Sequence, residues 1–500
     1  MRCDELARLP FVRASRVANA AVRVAELTAD SRQVVPGGAF FALRGDRADG
    51  HAFVAQALAQ GAGALFVSDP AVYAHLAGNA AASCYLTAPG RPVLATLAAA
   101  IYGDPSRRLS LLGVTGTNGK TTVTHLVAQM CAAMGDGCAL IGSMGMALGA
   151  ERFASARTTP EAPEVARLLR HAVEQGAAWG SIEVSSIGIA QERTAGLHFR
   201  AAALTNITQD HLDFHGDMAA YRAQKFRLFR EYDLGAAVVN LDVPDGQFLW
   251  DTLVRERPAL PRVSFALERD ADVRLLDAAP ADGGVAGCVS LFGSAQPYRF
   301  AMPGRYNLSN LLAAMGLLLA AEQPPEAVAA AVEACQGPPG RLERIPLTGG
   351  VTALVDYAHS PDALRHVLAA ARELARGRLL VAFGCGGERD RGKRPLMGAV
   401  AAEAADAVLI TSDNPRGEDP ARIIADVLAG VPAGARGRVR TLVDRREAIA
   451  VLLGEAEAGD VVLLAGKGHE TTQTIGGDVL PFDDREEVRR WATQAGRLAV

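Results

Sequence analysis

Aromatic residues make up only 5% of the 500-residue chain, so the 49% hydrophobic share is met by Ala, Val and Leu. Cysteine is scarce and scattered, at Cys3, Cys84, Cys131, Cys138, Cys288, Cys335 and Cys385, with no CxxC pair. That spacing argues against a disulfide framework and a structural zinc site, and it predicts buried, reduced thiols. Long apolar runs are also missing. The longest nearly unbroken one, Leu311 to Ala321, is too short to cross a bilayer, and the opening MRCDELARLPF carries acidic residues where a signal peptide would be apolar. A cytoplasmic protein without membrane insertion is expected. Neither charge sign is in excess: 51 Lys and Arg stand against 55 Asp and Glu, a net charge of -4. There is no general electrostatic reason to bind nucleic acid, so an anionic ligand must be held by a local site.

The length suggests about three domains, and the breakers divide the chain into 1–100, 101–339 and 340–500. Asp104-Pro105-Ser106 lies at the first boundary and Gln336-Gly337-Pro338-Pro339-Gly340 at the second. The first block mixes short strands with Gly-rich turns and ends in a helix, RPVLATLAAAIYG. From Leu109 strands alternate with helices: SLLGVT, CALIGS, SIEVSS, AAALTNI and AAVVNLD. This pattern predicts an α/β fold with a mainly parallel sheet. After residue 340 it resumes with TALVDYA, RLLVAFGCGG, DAVLITSDN and DVVLLAGKG, separated by helices near 361–375, 396–405, 420–430 and 444–455. Each strand runs into a polar or Gly-rich tail. Ligands of open α/β sheets bind at the carboxyl ends of strands, so the four tails should share one side.

SLLGVT leads into Gly116-Thr117-Asn118-Gly119-Lys120-Thr121-Thr122 and then a helix with Val123, Leu126, Val127, Met130 and Met134 on one face, stopped at Gly135. Glycines let main-chain N–H groups turn toward an anion at a helix N-terminus. Lys120 would reach the β and γ phosphates of ATP, and a Thr hydroxyl would meet Mg2+. Val114 stands where the standard phosphate loop has a glycine, so this is a shorter G-x-x-G-K-T-T variant. Further on, Glu183 sits in SIEVSS, His211 and His215 in TNITQDHLDFHGDM, and Lys225 in YRAQKFRLF. A carboxylate on a strand facing the phosphates suits a hard cation; taken singly, Glu183, the histidines and Lys225 are equally ordinary edge, helix-start and solvated residues.

Together GVTGTNGKTT, EVSS, TNITQDHLDFHGDM, the lysine ten residues after His215 and GRYNLSN resemble the Mur ligases, ATP-dependent amide-forming enzymes of peptidoglycan precursor synthesis, and the resemblance spans all three blocks. It implies a central P-loop-type ATPase domain, a C-terminal Rossmann-like α/β domain and a smaller N-terminal α/β domain. It also implies two Mg2+ sites. Thr121 and Glu183 would hold the ion between the phosphates, Glu183 and His211 the second, and Lys225 would carry a CO2-derived carbamate that acts as an acidic ligand. Lys120, Glu183, His211 and Lys225 are thus the expected catalytic set. The loop from Gly116 to Thr122, Asn310 and Arg341 are the expected ATP contacts, with Asp356 and His359 of DYAHSPD nearby.

Within the family, four features resemble the member that adds the third peptide residue. The first block has Asp30-Ser31-Arg32 and Ala48-Asp49-Gly50-His51, with Ser31 as a uridine-nucleotide contact, although Asp-Ser-Arg alone reads equally as an Asx turn. Thr158, Thr159, Ser185, Gln191 and Arg193 match UDP-MurNAc-dipeptide contacts; Ile187 departs from a His of many members. Asp413-Asn414-Pro415-Arg416 is the motif of diaminopimelate-adding members, whose Arg can grip a carboxylate with two parallel hydrogen bonds. Arg389, Gly466 and Glu470, the last two in GKGHE, match further contacts to the diamino acid. The implied enzyme is a monomeric ligase joining meso-diaminopimelate to UDP-MurNAc-L-Ala-D-Glu. The alternatives are an L-lysine-adding relative, a folylpolyglutamate synthetase-like ligase and a non-catalytic nucleotide or precursor sensor.

Overall fold

A computed structural model describes residues 1–45, 48–78, 82–155, 157–281 and 284–498. The alternation after Leu109 builds one eleven-stranded sheet. Its centre is parallel: Cys138–Gly142, Trp179–Glu183, Ser110–Thr115, Ala201–Leu204, Ala237–Asn240 and Arg262–Ala266 lie side by side. Side chains of a strand alternate between faces. Leu112 and Val114 therefore join one core, with Val123, Leu126 and Val127 of helix Lys120–Ala133. Leu111 joins the opposite core, with Val165 and Leu169 of helix Ala162–Glu174 and Phe229 of helix Met218–Arg230. Both faces are covered, as a parallel sheet requires. The run Leu311 to Ala321 is explained by the same geometry, because helix Arg305–Ala320 is buried from Leu311 to Leu319.

The edges of this sheet depart from the plain strand-helix alternation. Gly145–Leu148 and Glu151–Phe153 fold back antiparallel on one side, and Val273–Ala281, Gly284–Leu291 and Ser294–Phe300 form an antiparallel apron on the other. These strands are partly exposed, so a continuous apolar run does not announce them. Cys288 on the apron and Cys138 are half-buried, against the expectation of buried thiols; the other five cysteines are buried, and all seven are free. Among the described residues no helix is long and apolar enough to cross a membrane.

A five-stranded sheet precedes the large one, with Val12–Arg16 antiparallel to Ser83–Thr87 and the other pairs parallel. Its core includes Leu94 and Leu97 of helix Arg91–Ile101 and reaches Ala162 and Ala166 of the central helix, which joins the two regions through buried apolar surface. The last region holds a six-stranded sheet in which Thr352–Asp356, Val461–Ala465, Leu379–Phe383, Ala407–Ile410 and Val439–Thr441 run parallel in that spatial order. The four predicted tails consequently leave from one side. The helices between them, Pro361–Leu374, Lys393–Ala404, Pro420–Leu428 and Arg445–Glu455, fall near the expected positions.

Candidate active site

The turn after Ser110–Thr115 is pressed against its neighbours. At Gly116, where φ is +150°, an added Cβ would lie 1.9 Å from Thr205 Oγ1. Asn310 Oδ1 fills the space that a side chain at 119 would take. Thr205 Oγ1 donates to Asn118 O at 2.6 Å, and Asn118 N–H donates to Asn206 Oδ1 at 2.9 Å. The loop is thus fixed from outside, and helix Lys120–Ala133 presents its unpaired first-turn N–H groups beside it. Lys120 Nζ donates to Gly116 O and Thr117 O at 2.9 and 2.8 Å; burial lowers its pKa.

Glu183 ends strand Trp179–Glu183 and is buried. Its Oε1 accepts from Ser143 N–H and Ser143 Oγ, both at 2.8 Å, and Ser143 Oγ lies 3.1 Å from Thr121 Oγ1. A hydroxyl and a carboxylate thereby meet at the phosphate turn, an oxygen donor set that fits a hard divalent cation. Among the described residues no group of three or more His, Cys, Asp or Glu forms a metal site by itself. His211 takes a left-handed conformation (φ 52°) just before the short helix Leu212–His215, and its Nε2 lies 3.5 Å from Asp210 Oδ2. Burial disfavours the charged form of Asp210, but the charges of His211, His359, Lys393 and Lys120 hold its pKa below the usual range. His215 turns away to Ser186 Oγ at 3.0 Å. Lys225 is buried, with Nζ donating to the same Gly116 O at 2.7 Å and lying 4.6 Å from the Tyr221 ring centre. Burial first, and then the charge of Lys120, push its pKa well below the ordinary value. Two lysines at one carbonyl favour the neutral amine on the more buried one.

A cavity of about 580 Å³ opens beside the turn, lined by Asn118, Gly119, Asn310, Arg341, His359 and Val367 among others. Arg341 Nη2 donates to Thr121 Oγ1 at 3.1 Å, and its guanidinium lies 4.6 Å from the Tyr357 ring centre. Asn118 Nδ2 donates to Asp362 Oδ2 at 3.1 Å, so the phosphate turn touches helix Pro361–Leu374 directly. Asp356 accepts from Leu342 N–H and Ala358 N–H at 2.7 and 2.8 Å and shapes the chain around Arg341. Burial, then the charge of Lys393, pushes His359 down to about 4.

A second cavity of about 490 Å³ lies between the first region and the central one, lined by Thr28, Asp30, Arg91, Tyr102, Arg157 and Glu161 among others. Ser31 is buried beside it, its hydroxyl donating to Gln56 Oε1 at 2.8 Å, while Asp30 accepts from Arg32 N–H in an Asx turn. His51 is held by Asp49 Oδ1 at 2.6 Å and Ser68 N–H at 3.0 Å. Thr159 Oγ1 donates to Glu183 O at 2.8 Å and lies 2.9 Å from Ser185 Oγ. Arg193 donates to Thr159 O at 3.0 Å and to Gln191 Oε1, and pairs with Glu161 at 3.2 Å. These residues form one network next to the cation donors. Thr158 and Ile187 are half-buried nearby in sequence.

The tails of the last sheet assemble the remaining candidates. Arg416 has φ 53°; its N–H donates to Thr474 O at 3.0 Å and its Nη1 to Gly387 O at 2.7 Å. A Cβ built on Gly386 would stand 3.0 Å from Arg416 Nη1 and 3.8 Å from Arg389 Cγ, so both arginines flank that glycine. Asn414 Nδ2 donates to Glu470 Oε2 at 2.8 Å; Lys467 Nζ, fully buried, donates to the same oxygen at 3.0 Å. Asp413 is buried against Gly466, and burial raises its pKa against the charges of Lys467 and Arg445. The His469 ring lies 5.0 Å from that of Tyr357, and burial pushes the imidazole down to about 4. Gly340 packs on this turn with no room for a side chain: a Cβ there would be 2.2 Å from Gly468 C and His469 N.

Sequence reasoning passed over Ser143, Asn206, Asp210, Tyr357, Lys393 and His469. Ser143 and Asn206 lie at the carboxyl ends of strand segments already recognised, CALIGS and AAALTNI, so the rule that ligands meet strand ends would have found them. His469 carried no signal apart from its motif.

The chain matches the Mur ligase middle domain over residues 114–318, the Mur ligase glutamate ligase domain over 340–468 and the Mur ligase family catalytic domain over 23–101. It is 44% identical over 472 residues to the UDP-N-acetylmuramoyl-L-alanyl-D-glutamate--2,6-diaminopimelate ligase of Gloeobacter violaceus, covering 94% of each chain. The enzyme of the same name from Synechococcus sp. is 43% identical, over 95% of this chain and 96% of its own. A solved structure of a ligase of that name superposes with a TM-score of 0.69 at 31% identity, covering 99% of both chains.

Proposed function

The chain belongs to the Mur ligase family, and from that premise we propose that it joins meso-diaminopimelate to the γ-carboxylate of D-Glu in UDP-MurNAc-L-Ala-D-Glu, using ATP, as a monomer in the cytoplasm. Residues 1–100 hold the uridine nucleotide, 101–339 bind ATP and 340–500 bind the amino acid. The observation that carries the reading is the meeting of three residue groups: the phosphate turn with Thr121, the Thr159–Ser185–Arg193 network behind Glu183, and the His469 turn, which packs on Tyr357 beneath the Arg341 that donates to Thr121.

The chemistry follows from where the charges fall. The γ-phosphoryl group passes to the D-Glu carboxylate, the diaminopimelate amine attacks the acyl phosphate, and phosphate leaves. Lys120 and the N–H groups of the turn offset charge at the phosphates, and Arg341 holds the Thr121 side of the site. Thr121, Glu183 and His211 are the residues to hold magnesium, which when bound neutralises charge between the two anionic substrates. Lys225, buried and biased toward its neutral amine, is the residue to add CO2 and present an anionic carbamate oxygen. Arg416 and Arg389 receive the far carboxylate of diaminopimelate, and Asn414 and Glu470 its ammonium group.

The match over residues 23–101 favours this reading over a folylpolyglutamate synthetase-like ligase, which has no counterpart of that block. A sensor would need neither the cation donors nor the buried Lys225. The test is ADP release by the purified protein: it should require UDP-MurNAc-L-Ala-D-Glu and diaminopimelate together. Release with folate substrates, or binding without turnover, would overturn the reading.

A further inference from the structure

The two amino-acid-binding tails do not leave from neighbouring strands. Asp413–Arg416 follows Ala407–Ile410 and Gly466–Glu470 follows Val461–Ala465, with Leu379–Phe383 lying between them in the sheet. The two strands are not paired with each other, and the main chains meet only beyond the strand ends, where Arg416 bridges to Ile475 among the described residues. At the tips Asn414 meets Glu470 and Lys467, and at the roots of the tails the linking side chain is Arg445, at the first turn of helix Arg445–Glu455. Its Nη1 donates to Ser412 O at 3.3 Å, immediately before Asp413, and its Nη2 to Ala465 O at 3.0 Å, immediately before Gly466. Nε and Nη2 also donate to Asp484 Oδ1 and Oδ2 at 2.8 and 2.6 Å, and both side chains are fully buried. Asp484 opens helix Asp484–Gln494, so one guanidinium ties two strand ends to two helices.

We propose that Arg445, backed by Asp484, is a positioning residue that sets the spacing between the Arg416 and Glu470 tails and thereby the preference for a diamino acid bearing a second carboxylate. The proposal rests on the assignment of those tails to diaminopimelate. A planar fork with donors on two sides is suited to holding two separated carbonyls and a carboxylate at once, a span that the compact ammonium of a lysine lacks. Its burial is a cost that an apolar pair of similar volume would avoid. The ion pair is therefore not explained by stability alone. Discrimination between diaminopimelate and lysine needs a carboxylate receptor and an ammonium receptor at matched separation, and a receptor left unpaired rejects the shorter-functioned analogue.

The experiment compares wild type, the double variant Arg445→Met with Asp484→Leu, Arg445→Lys and Arg416→Ala. The apolar pair should preserve folding, checked by thermal denaturation. In that folded protein the KM for diaminopimelate should rise about tenfold or more and the kcat/KM preference over L-lysine should fall by a similar factor. The KM values for ATP and the UDP-dipeptide should stay within about twofold. A merely structural contribution would lower the melting temperature without moving the preference. Retention of the wild-type preference by the double variant overturns the proposal. If that variant folds poorly, Arg445→Lys carries the same decision, since it keeps the charge but loses the fork. Should Arg416→Ala also leave the preference intact, the assignment of the tails fails instead.

Discussion

The phosphate turn and the tails proposed to hold the amino acid are built by different constructions. The turn is one contiguous segment, 116–122, shaped by main-chain geometry and braced by Thr205, Asn206 and Asn310. The tails are three separate segments brought together by side chains: Asn414 with Glu470 and Lys467, Arg416 with Gly387, and Arg445 beneath. A main-chain receptor reads a group common to every substrate of its class. A side-chain receptor assembled across a sheet reads the particular amino acid, and it can change without disturbing the other.

The sharpest break of this contrast is Lys120→Ala. It should abolish turnover by roughly three or more orders of magnitude with any amino acid, because a preorganised charge is lost at the transferring phosphoryl group; ADP release measured with diaminopimelate and with lysine checks that both fall together. Lys225→Ala should be nearly inactive in the same amino-acid-independent way, with partial recovery when a small carboxylate such as formate is added. Failure of any carboxylate to restore ADP release would count against the carbamate. Arg416→Ala should instead separate the two amino acids. Loss of about 3 to 5 kcal/mol is expected with diaminopimelate, the range for breaking a buried charge pair, and little change in the weak use of lysine. Equal losses in amide formation would assign Arg416 to the fold.

The smallest effect concerns pH. Glu418 is held down to about 2, first by hydrogen bonds from Arg394 and then by the Glu388 N–H, and Arg394 also donates to Gly386 O. This pair joins the Arg389 and Arg416 segments. Because the folded value lies below the unfolded one of about 4.3, the stabilisation is complete above that value and is lost as pH falls through about 2. Urea unfolding of wild type and Glu418→Gln should differ on the order of 1 kcal/mol at pH 6, allowing for solvent screening, and converge near pH 2.

The legibility of the molecule follows the same division. The parallel centre, its covering helices and the phosphate turn were readable because a buried strand is a continuous apolar run and a main-chain receptor is a contiguous motif. The apron from Val273 to Phe300 was not, since its strands are half-exposed and mixed in composition. Ser143 was missed because a lone serine has no pattern, although it touches both Thr121 and Glu183. Arg445 and Asp484 lie 39 residues apart in surface-like sequence, and nothing local predicts that both are buried. The metal, carbamate and substrate assignments came from resemblance, and the structure adds their neighbours.

Gly340 sits against Gly468 and His469 with less clearance than a methyl group needs. The chain at the second boundary is thus packed on the 466–470 turn without play. A contact this close fixes the main chain at 340 relative to the turn that carries Glu470. A side chain introduced at 340 would have to push that turn aside, so the identity of one residue in the connector is passed directly to the position of Glu470.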